Sequence, residues 1–243
     1  MPLTDDEEVA ALRALLSAGP RTNRARPAAL SPEKVPPPSN SGGGGGDQAA
    51  RLLELLQDRS GLDQAKPMLE AELLDREQKK GPNAPDTLLS VTCLAMLLQA
   101  KGELNQAQPL YERALKGFEE QYGPNHRDTL IAVNNLAVLL KSMDKLKEAR
   151  PLYERVLAGD EAQLGATHPH TLDSVYNLAR LLHAEGKTAE AVPLFERELK
   201  GCEGQYGLDH NETKTSAANL YNLLLELGKE ADAKAVQMKY KLG

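Results

Sequence analysis

The sequence predicts an all-α protein made of about five copies of a helix-turn-helix unit. Three related phrases show the repetition, at intervals of 42 residues: AQPLYERAL at 107–115, ARPLYERVL at 149–157 and AVPLFEREL at 191–199. Within one period, apolar residues recur at helical spacing in two separate stretches. A fixed period that contains two amphipathic helices is typical of proteins whose similar units stack side by side.

The first helix of a period, helix A, is predicted from TLIAVNNLAVLLKSM at residues 129–143. Thr129 is predicted to be its N-cap, because a threonine hydroxyl can accept a hydrogen bond from a backbone N–H of the first turn. The apolar side chains recur at i, i+3, i+4 and i+7 and therefore share one face of the helix. They are Val133, Leu136, Ala137 and Leu140.

The second helix, helix B, is predicted from KEARPLYERVLAGDEAQLG at residues 147–165. A short turn near Gly102 or Gly186 separates helix A from helix B, and Gly165 allows the left-handed backbone that ends helix B. A proline recurs near the start of helix B, and either a place in the first turn or a small kink would accommodate its missing N–H. These prolines are Pro67, Pro109, Pro151 and Pro193.

Aligning the chain on itself at this period gives columns of equivalent residues. A two-helix unit cannot cover its own apolar face, so stacking of the units provides the core. Alanines allow the helices to approach closely, and one aromatic residue per period fills the space between layers. The alanine column is Ala65, Ala107, Ala149, Ala191 and Ala233, and the aromatic column is Tyr111, Tyr153 and Phe195.

The chain divides into three predicted regions. Residues 1–19 form a short amphipathic helix, which Thr4 and Glu7 begin as a capping box. Residues 20–46 are rich in Pro, Ser and Gly and are predicted to be a disordered linker. Residues 47–243 form the repeat array, with repeats at about 47–87, 88–129, 130–171, 172–213 and 214–243.

The composition disfavours several classes of protein. A net charge of −6 argues against nucleic-acid binding, which needs clustered Lys and Arg. The apolar runs are far shorter than the ~20 residues of a membrane-spanning helix, and the acidic N-terminus does not resemble a targeting segment. We therefore expect a cytoplasmic protein without membrane contact. Cys93 and Cys202 are isolated, which favours buried free thiols over a disulfide or a zinc site.

The sequence carries no pattern typical of catalysis. It has no Ser/His/Asp constellation and no glycine-rich phosphate loop, so we expect no enzymatic activity and no cofactor. Histidines recur once per period in the loops that follow helix B, without Cys or carboxylate ligands at metal spacing. We expect these histidines to pack the loops rather than to bind metal. They are His126, His168 and His210.

The phrases NNLAVLL, EARPLYERVL and YNLARLLHAEGKTAEAVPLFEREL resemble tetratricopeptide repeats, in the 42-residue variety of kinesin light chains and nephrocystin-like proteins. The resemblance covers about residues 47–243 and is strongest over 88–213. It implies a right-handed superhelical solenoid whose concave inner wall is lined by the A helices. It also implies a scaffold or adaptor for protein–protein interaction, which binds a linear peptide or a helix in that groove.

The resemblance places ligand contacts on A-helix positions that point away from the core. The sharpest candidates are Asn135, Asn177 and Asn219, because the family uses asparagine at this register to hydrogen-bond an extended peptide. Alternatively, these amides satisfy neighbouring groups between repeats. Three cationic residues could attract an acidic ligand side chain or form an ordinary solvated face: Lys141, Arg180 and His183. The other candidates are Thr92, Cys93, Met96, Asn134, Val138, Tyr176 and Asn222.

Residues 1–46 lack the sustained heptads with which kinesin light chains bind the motor heavy chain, so binding to kinesin heavy chain is not expected. A structural subunit recognised through the outer faces of its B helices is the alternative to a peptide-binding scaffold. The N-terminal helix could occupy the groove, dock elsewhere or only improve solubility. A flexible linker of this length spans roughly 30 Å, enough to bring the helix back to the array.

Overall fold

The computed structural model describes residues 62–242, and these residues contain nine α-helices and no β-strand. The helices are α1 Leu62–Lys80, α2 Pro85–Ala100, α3 Leu104–Tyr122, α4 Arg127–Ser142, α5 Leu146–Leu164, α6 Pro169–Ala184, α7 Thr188–Tyr206, α8 Asn211–Glu226 and α9 Glu230–Tyr240. The predicted all-α repeat array is confirmed. The predicted N-terminal helix at 1–19, the predicted linker at 20–46 and the start of the array at 47–61 lie outside the described residues.

Helices of type A and type B alternate at a constant spacing. The A helices α2, α4, α6 and α8 each have 16 residues. The B helices α1, α3, α5 and α7 each have 19 residues, and α9 has 11. The first residues of the A helices lie 42 positions apart, at Pro85, Arg127, Pro169 and Asn211.

The described residues form two compact units that divide between Met143 and Asp144. The first unit holds α1 to α4, in which α2 packs against α1 and α3, and α3 also packs against α4. The second unit holds α5 to α9, in which each helix packs against the next one along the chain. Packing between sequence neighbours is what a stacked repeat requires.

Both predicted core columns are buried. The described alanines of the column, Ala65, Ala107, Ala149, Ala191 and Ala233, are all 0% exposed. Tyr111, Tyr153 and Phe195 are 0%, 2% and 3% exposed. The hydroxyl of Tyr111 donates to Gln99 Oε1 at 2.9 Å, so the ring is buried while its polar end keeps a partner.

Thr129 is not the N-cap of α4, so that prediction was wrong. His126 is the N-cap, and its Nδ1 accepts the backbone N–H of Asp128 at 3.2 Å. The Thr129 hydroxyl lies inside the helix and donates to the carbonyl of Gly123 at 2.8 Å. That carbonyl belongs to the C-cap of α3, where a helix leaves backbone acceptors without helical partners. The threonine therefore joins the end of one repeat to the start of the next.

The turn predictions agree with the structure. Gly165 ends α5 with φ of +88°. Gly102 and Gly186 have φ of +81° and +75° between helix A and helix B, and Asp144 takes φ of +60° at the equivalent position. Each proline is the sixth residue of its B helix and is exposed, so the first-turn alternative was wrong. The helices concerned are α1, α3, α5 and α7.

Candidate functional site

The start of each A helix after α2 is fixed by a histidine. Nδ1 of His126, His168 and His210 accepts the backbone N–H two residues later, at 3.2 Å in all three cases. The accepting Nδ1 requires the tautomer that carries its proton on Nε2. Tyr122 and Tyr206 stack on the first and last of these rings, with centroids 4.5 and 4.8 Å apart. The recurring histidines therefore cap helices, a role more specific than the loop packing expected from the sequence.

In each unit, an arginine on helix B joins its repeat to the one before it. In the first unit, Arg113 lies 2.6 Å from Glu77 and donates to the carbonyl of Pro82 at 2.8 Å. In the second unit, Arg197 lies 2.5 Å from Glu161 and donates to the carbonyl of Ala166 at 3.2 Å. The clamp was not predicted, although an arginine and a glutamate each recur at the 42-residue period and could have indicated it. The clamp thus joins a B helix to the preceding B helix and to the loop that follows it.

In the first unit, most candidate residues of α2 are buried. Thr92 and Cys93 are 2% and 7% exposed, and the Thr92 hydroxyl donates to the carbonyl of Leu88 at 2.8 Å. Met96 is half-buried. Burial raises the pKa of the Cys93 thiol to about 12, with the Glu72 carboxylate as a smaller cause. The expectation that Thr92 and Cys93 face a ligand was therefore wrong, and α2 offers little polar surface to a partner.

The asparagines of α4 have unusual surroundings. Asn135 is 1% exposed, and both polar atoms of its side chain are buried without a hydrogen-bond partner. The Oδ1 atom of Asn134 is also buried without a partner, while the residue as a whole is half-buried. Val138 is buried and Lys141 is half-buried. We call Asn134, Asn135 and Lys141 the first face.

In the second unit, two candidate residues of α6 contact each other. The guanidinium carbon of Arg180 lies 5.7 Å from the ring centroid of Tyr176. Tyr176 is 8% exposed, and its ring meets Phe195 edge-on at 5.9 Å. Burial raises the pKa of Tyr153 above its ordinary value, and the charge of Arg180 partly offsets this effect. Arg180 is thus a half-buried cation held against aromatic rings, an arrangement that orients it.

His183 pairs with a residue that the sequence analysis did not select. Its Nε2 lies 2.8 Å from Oε2 of Glu226 at the end of α8, and Glu226 Oε1 accepts a hydrogen bond from Thr188 at 3.2 Å. The hydrogen bond with His183 lowers the pKa of Glu226. Both side chains of the pair are exposed. An acidic group of a ligand at His183 would therefore compete with Glu226. No short-range sequence motif could have indicated this pairing.

The remaining amides of the second unit are accessible. Asn177 on α6 and Asn219 on α8 are half-buried, and Asn222 on α8 is exposed. The candidates on these two helices that keep exposed area are called the second face. They are Asn177, Arg180, His183, Asn219 and Asn222. Register alone predicted three equivalent asparagines, whereas the structure buries Asn135 and leaves the other two accessible.

The repeating helical hairpins, the helix caps and the arginine clamp define a helical repeat array. Within it, the family model of the tetratricopeptide repeat matches residues 86–162 and 133–203. This part of the chain therefore belongs to the tetratricopeptide-repeat family, as predicted. A comparison with curated protein sequences finds no match.

Solved structures with the same fold include kinesin-light-chain repeats. A crystal structure of nearly identical repeats of a Podosopora anserina kinesin light chain is 23% identical, with a TM-score of 0.71, and covers 80% of this chain and 93% of the other. The protein BtubC (BKLC) of P. vanneervenii is 19% identical, with a TM-score of 0.60, and covers 80% and 87%. A fragment of MamA from Desulfovibrio magneticus RS-1 is 16% identical, with a TM-score of 0.56, and covers 80% and 91%. At these identities the similarity concerns the fold.

Two further findings describe the chemistry of the array. Within residues 62–242, no group of three or more His, Cys, Asp or Glu side chains is arranged to hold a metal ion. None of the helices in that range has the length and apolar character that crossing a membrane requires. Cys93 and Cys202 are buried free thiols, as predicted.

Proposed function

We propose that this protein is a non-catalytic scaffold that binds a linear peptide or a partner's helix through exposed A-helix residues. Tetratricopeptide repeats are a general scaffold for protein–protein interaction, and residues 86–203 have this fold. The two faces defined above would be the binding surfaces, each within its own unit, with Asn134 and Lys141 as the accessible members of the first face. Buried free thiols fit a reducing compartment, so we place the protein in the cytoplasm.

The observation that supports this proposal most is the recurrence of an amide at one register of the A helices. Asn177 and Asn219 keep exposed area and support the proposal, whereas Asn135 is 1% exposed, so its unpartnered carboxamide is not accessible to a ligand in this conformation. A carboxamide both donates and accepts, so it can bind the N–H and C=O groups of any extended peptide. A ligand backbone that reached these amides would gain hydrogen bonds without depending on a particular sequence.

Selectivity for a ligand would then depend on the charged members of the two faces. Arg180 is a half-buried cation held against Tyr176, and His183 contacts Glu226. Lys141 of the first face adds another cation. We therefore propose a peptide with an acidic side chain near Arg180. The net charge of −6 does not favour nucleic acid as a partner.

The proposal can be tested by selecting ligands from a library of random linear peptides displayed on phage. Selected peptides would be titrated against the full chain and against the variant Asn177→Leu/Asn219→Leu by fluorescence anisotropy. Each lost hydrogen bond is worth about 1 kcal/mol, so we expect the double variant to bind about tenfold or more weakly. The single variant Asn135→Leu tests the first face in the same assay.

A matched control is the variant Glu196→Gln/Lys200→Gln, which changes two exposed residues of α7 and leaves the net charge unchanged. Its affinity should stay within about twofold of wild type. Circular dichroism must show that all variants keep their helices. Retained affinity in the asparagine variants, or loss in the control, would move binding to the B helices and favour the structural-subunit alternative.

A further inference from the structure

The junction between α7 and α8 contains a carboxyl group in its interior. Glu198 is 0% exposed, and its Oε1 accepts hydrogen bonds from the Ser216 hydroxyl at 2.9 Å and from Cys202 Sγ at 3.3 Å. Cys202 and Ser216 are 2% and 1% exposed. A serine also donates a hydrogen bond to a carboxylate at two other junctions, Ser90 to Glu72 and Ser174 to Asp160, but of these three junctions only the α7–α8 junction has a fully buried carboxyl group. Burying a carboxyl group is unfavourable even when hydrogen bonds partly compensate.

Equivalent positions elsewhere in the chain show that the repeat does not require this carboxyl. The register of Glu198 is held by Val156 in α5 and by Ala114 in α3, and both are buried. In α1 the register is held by Glu72, which keeps exposed area and pairs with Arg76 at 2.7 Å. The register of Arg76 is held in α7 by Cys202, which carries no positive charge.

The loop at the same junction has lost a hydrogen bond that the earlier repeats make. The hydroxyls of Thr87, Thr129 and Thr171 each donate to the carbonyl of the glycine six residues earlier, at 2.8 Å. Thr213 is the fourth member of this column, is 0% exposed, and its hydroxyl has no hydrogen-bond partner. A buried hydroxyl without a partner weakens the packing around it.

The helix that follows α8 also contributes less to the core than its equivalents. At the register of Tyr111, Tyr153 and Phe195, α9 has Gln237, which is half-buried. The arginine of the clamp is replaced by Lys239, a point charge that pairs with Glu203 at 2.9 Å. Tyr240 of α9 is buried, and its hydroxyl donates to Glu203 Oε2 at 2.7 Å. The α8–α9 hairpin is therefore attached to α7 through Tyr240 and Lys239, without the aromatic core residue and the arginine that α3, α5 and α7 have at these registers.

We infer that the α8–α9 hairpin opens as a separate unit, releasing α8 from α7 and uncovering Cys202 while the first unit stays folded. The buried Glu198 and the unpartnered Thr213 hydroxyl set how often it opens. Such local opening is the behaviour expected of the least stable cooperative element of a structure. Because Asn219 and Asn222 lie on α8, each opening also takes apart the second face.

The two cysteines of the chain provide an internal comparison for testing this inference. The full-length protein would be incubated with iodoacetamide at several urea concentrations, and mass spectrometry would quantify modification at each cysteine. Each rate would be divided by the rate of the same cysteine in the unfolded chain. Cys202 reports opening of the hairpin, and Cys93, buried in α2, reports unfolding of the first unit.

We expect Cys202 to be modified at least tenfold faster than Cys93 after this correction. Its rate should also rise less steeply with urea, because local opening exposes less surface than unfolding of a whole unit. Equal corrected rates with equal urea dependence would overturn the inference, since both cysteines would then react only through global unfolding. Faster modification of Cys93 would overturn it as well.

Two variants test the cause of the opening. Glu198→Val introduces the residue found at this register in α5 and should slow modification of Cys202 about tenfold or more, with no change at Cys93. Thr213→Val removes the unpartnered hydroxyl at nearly constant shape and should slow it to a smaller extent, which keeps the test available if the first variant folds poorly. The control Thr129→Val removes a made hydrogen bond in the first unit and should leave Cys202 unaffected. If neither variant slowed modification of Cys202, the inference would be wrong.

Discussion

The α3–α4 junction of the first unit and the α7–α8 junction of the second occupy the same place in the period, but their interiors differ. The first is apolar: Ala114, Phe118 and Ala132 are 0%, 3% and 2% exposed. The second holds Glu198, Cys202 and Ser216 at the same three registers. The period thus determines where helices lie, whereas the side chains at each junction determine how firmly they are held. We therefore expect stability to differ between junctions more than geometry does.

A similar contrast appears at the turn between helix A and helix B. In the first unit, Lys101 lies 2.7 Å from Asp63 and 3.0 Å from Glu103. In the second unit the same register holds Glu185, which lies 2.8 Å from Lys187. Lys187 in turn has the register of Glu103, so both charges are reversed. The other two turns have Met143 and Leu227 at the register of Lys101, so the turn accommodates an ion pair of either polarity but does not require one.

The largest expected effect comes from breaking the apolar junction. Phe118→Ala should lower the free energy of unfolding by about 3–5 kcal/mol, because it removes a large buried side chain and leaves a cavity. Cys202→Ala, at the same register in the second unit, should cost about 1 kcal/mol because far fewer buried atoms are lost. Urea denaturation followed by circular dichroism measures both. Similar losses in the two variants would show that the junctions do not differ in the way described.

The fold was predictable because the same residue types recur at the same position of every 42-residue period. Alanine and aromatic columns at intervals of 42 residues indicated two helices per unit and a core between stacked units, and both columns are buried. The N-cap was not predictable from residue preferences. Thr129 is a common capping residue type, but its hydroxyl meets a carbonyl of the preceding helix, and the ring nitrogen of His126 takes the capping role.

The candidate site was predictable only as positions on helix faces. Register assigned Asn135, Asn177 and Asn219 to one column, but register does not determine burial, and Asn135 is 1% exposed. The role of Glu226 at His183 could not be foreseen because the two residues come from different repeats and form no motif. The period predicts the position of a residue on its helix, whereas the exposure of the side chain depends on the residues that pack against it.

A smaller loss of stability is expected where a glycine of a B helix packs closely against a leucine, and this contact occurs in both units. A Cβ on Gly201 would lie 2.4 Å from Leu172 Cδ1, and one on Gly117, at the same register, 2.6 Å from Leu88 Cδ1. Gly201→Ala should therefore destabilise the protein by about 1–3 kcal/mol, and Gly117→Ala by a similar amount. Thermal unfolding measured by calorimetry would report both.

The control lies in the same helix as Gly201. Gly204 is helical, and a Cβ there would meet nothing within 4 Å. Gly204→Ala should therefore stabilise the protein by about 0.5–1 kcal/mol, because alanine favours the helix. The same substitution would then have opposite signs three residues apart in α7. A stabilising effect at Gly201 would mean that the leucine side chain moves aside at little cost.

The smallest expected effect concerns the link between α9 and α7, where Lys239 replaces the arginine of the clamp. Hydrogen bonds from Lys239, and secondarily from Tyr240, lower the pKa of Glu203. A carboxyl whose pKa is lowered by folding stabilises the folded state above its ordinary titration range, and this contribution is lost as the pH falls through the lowered pKa. Glu203→Gln should therefore cost about 0.2–1 kcal/mol at neutral pH.

The same difference between wild type and Glu203→Gln should shrink as the pH is lowered below about 4, because the wild-type carboxyl then becomes neutral as well. Urea denaturation at a series of pH values measures it. Glu120→Gln is the control, since Glu120 is exposed and lies 3.9 Å from Lys116, and this substitution should change the stability by close to zero. A difference for Glu203 that did not depend on pH would mean that its shape rather than its charge holds α9. The Lys239 link would then differ from the arginine clamp in chemistry as well as in strength. In the arginine clamp, Arg113 and Arg197 pair with glutamates and also donate to loop carbonyls.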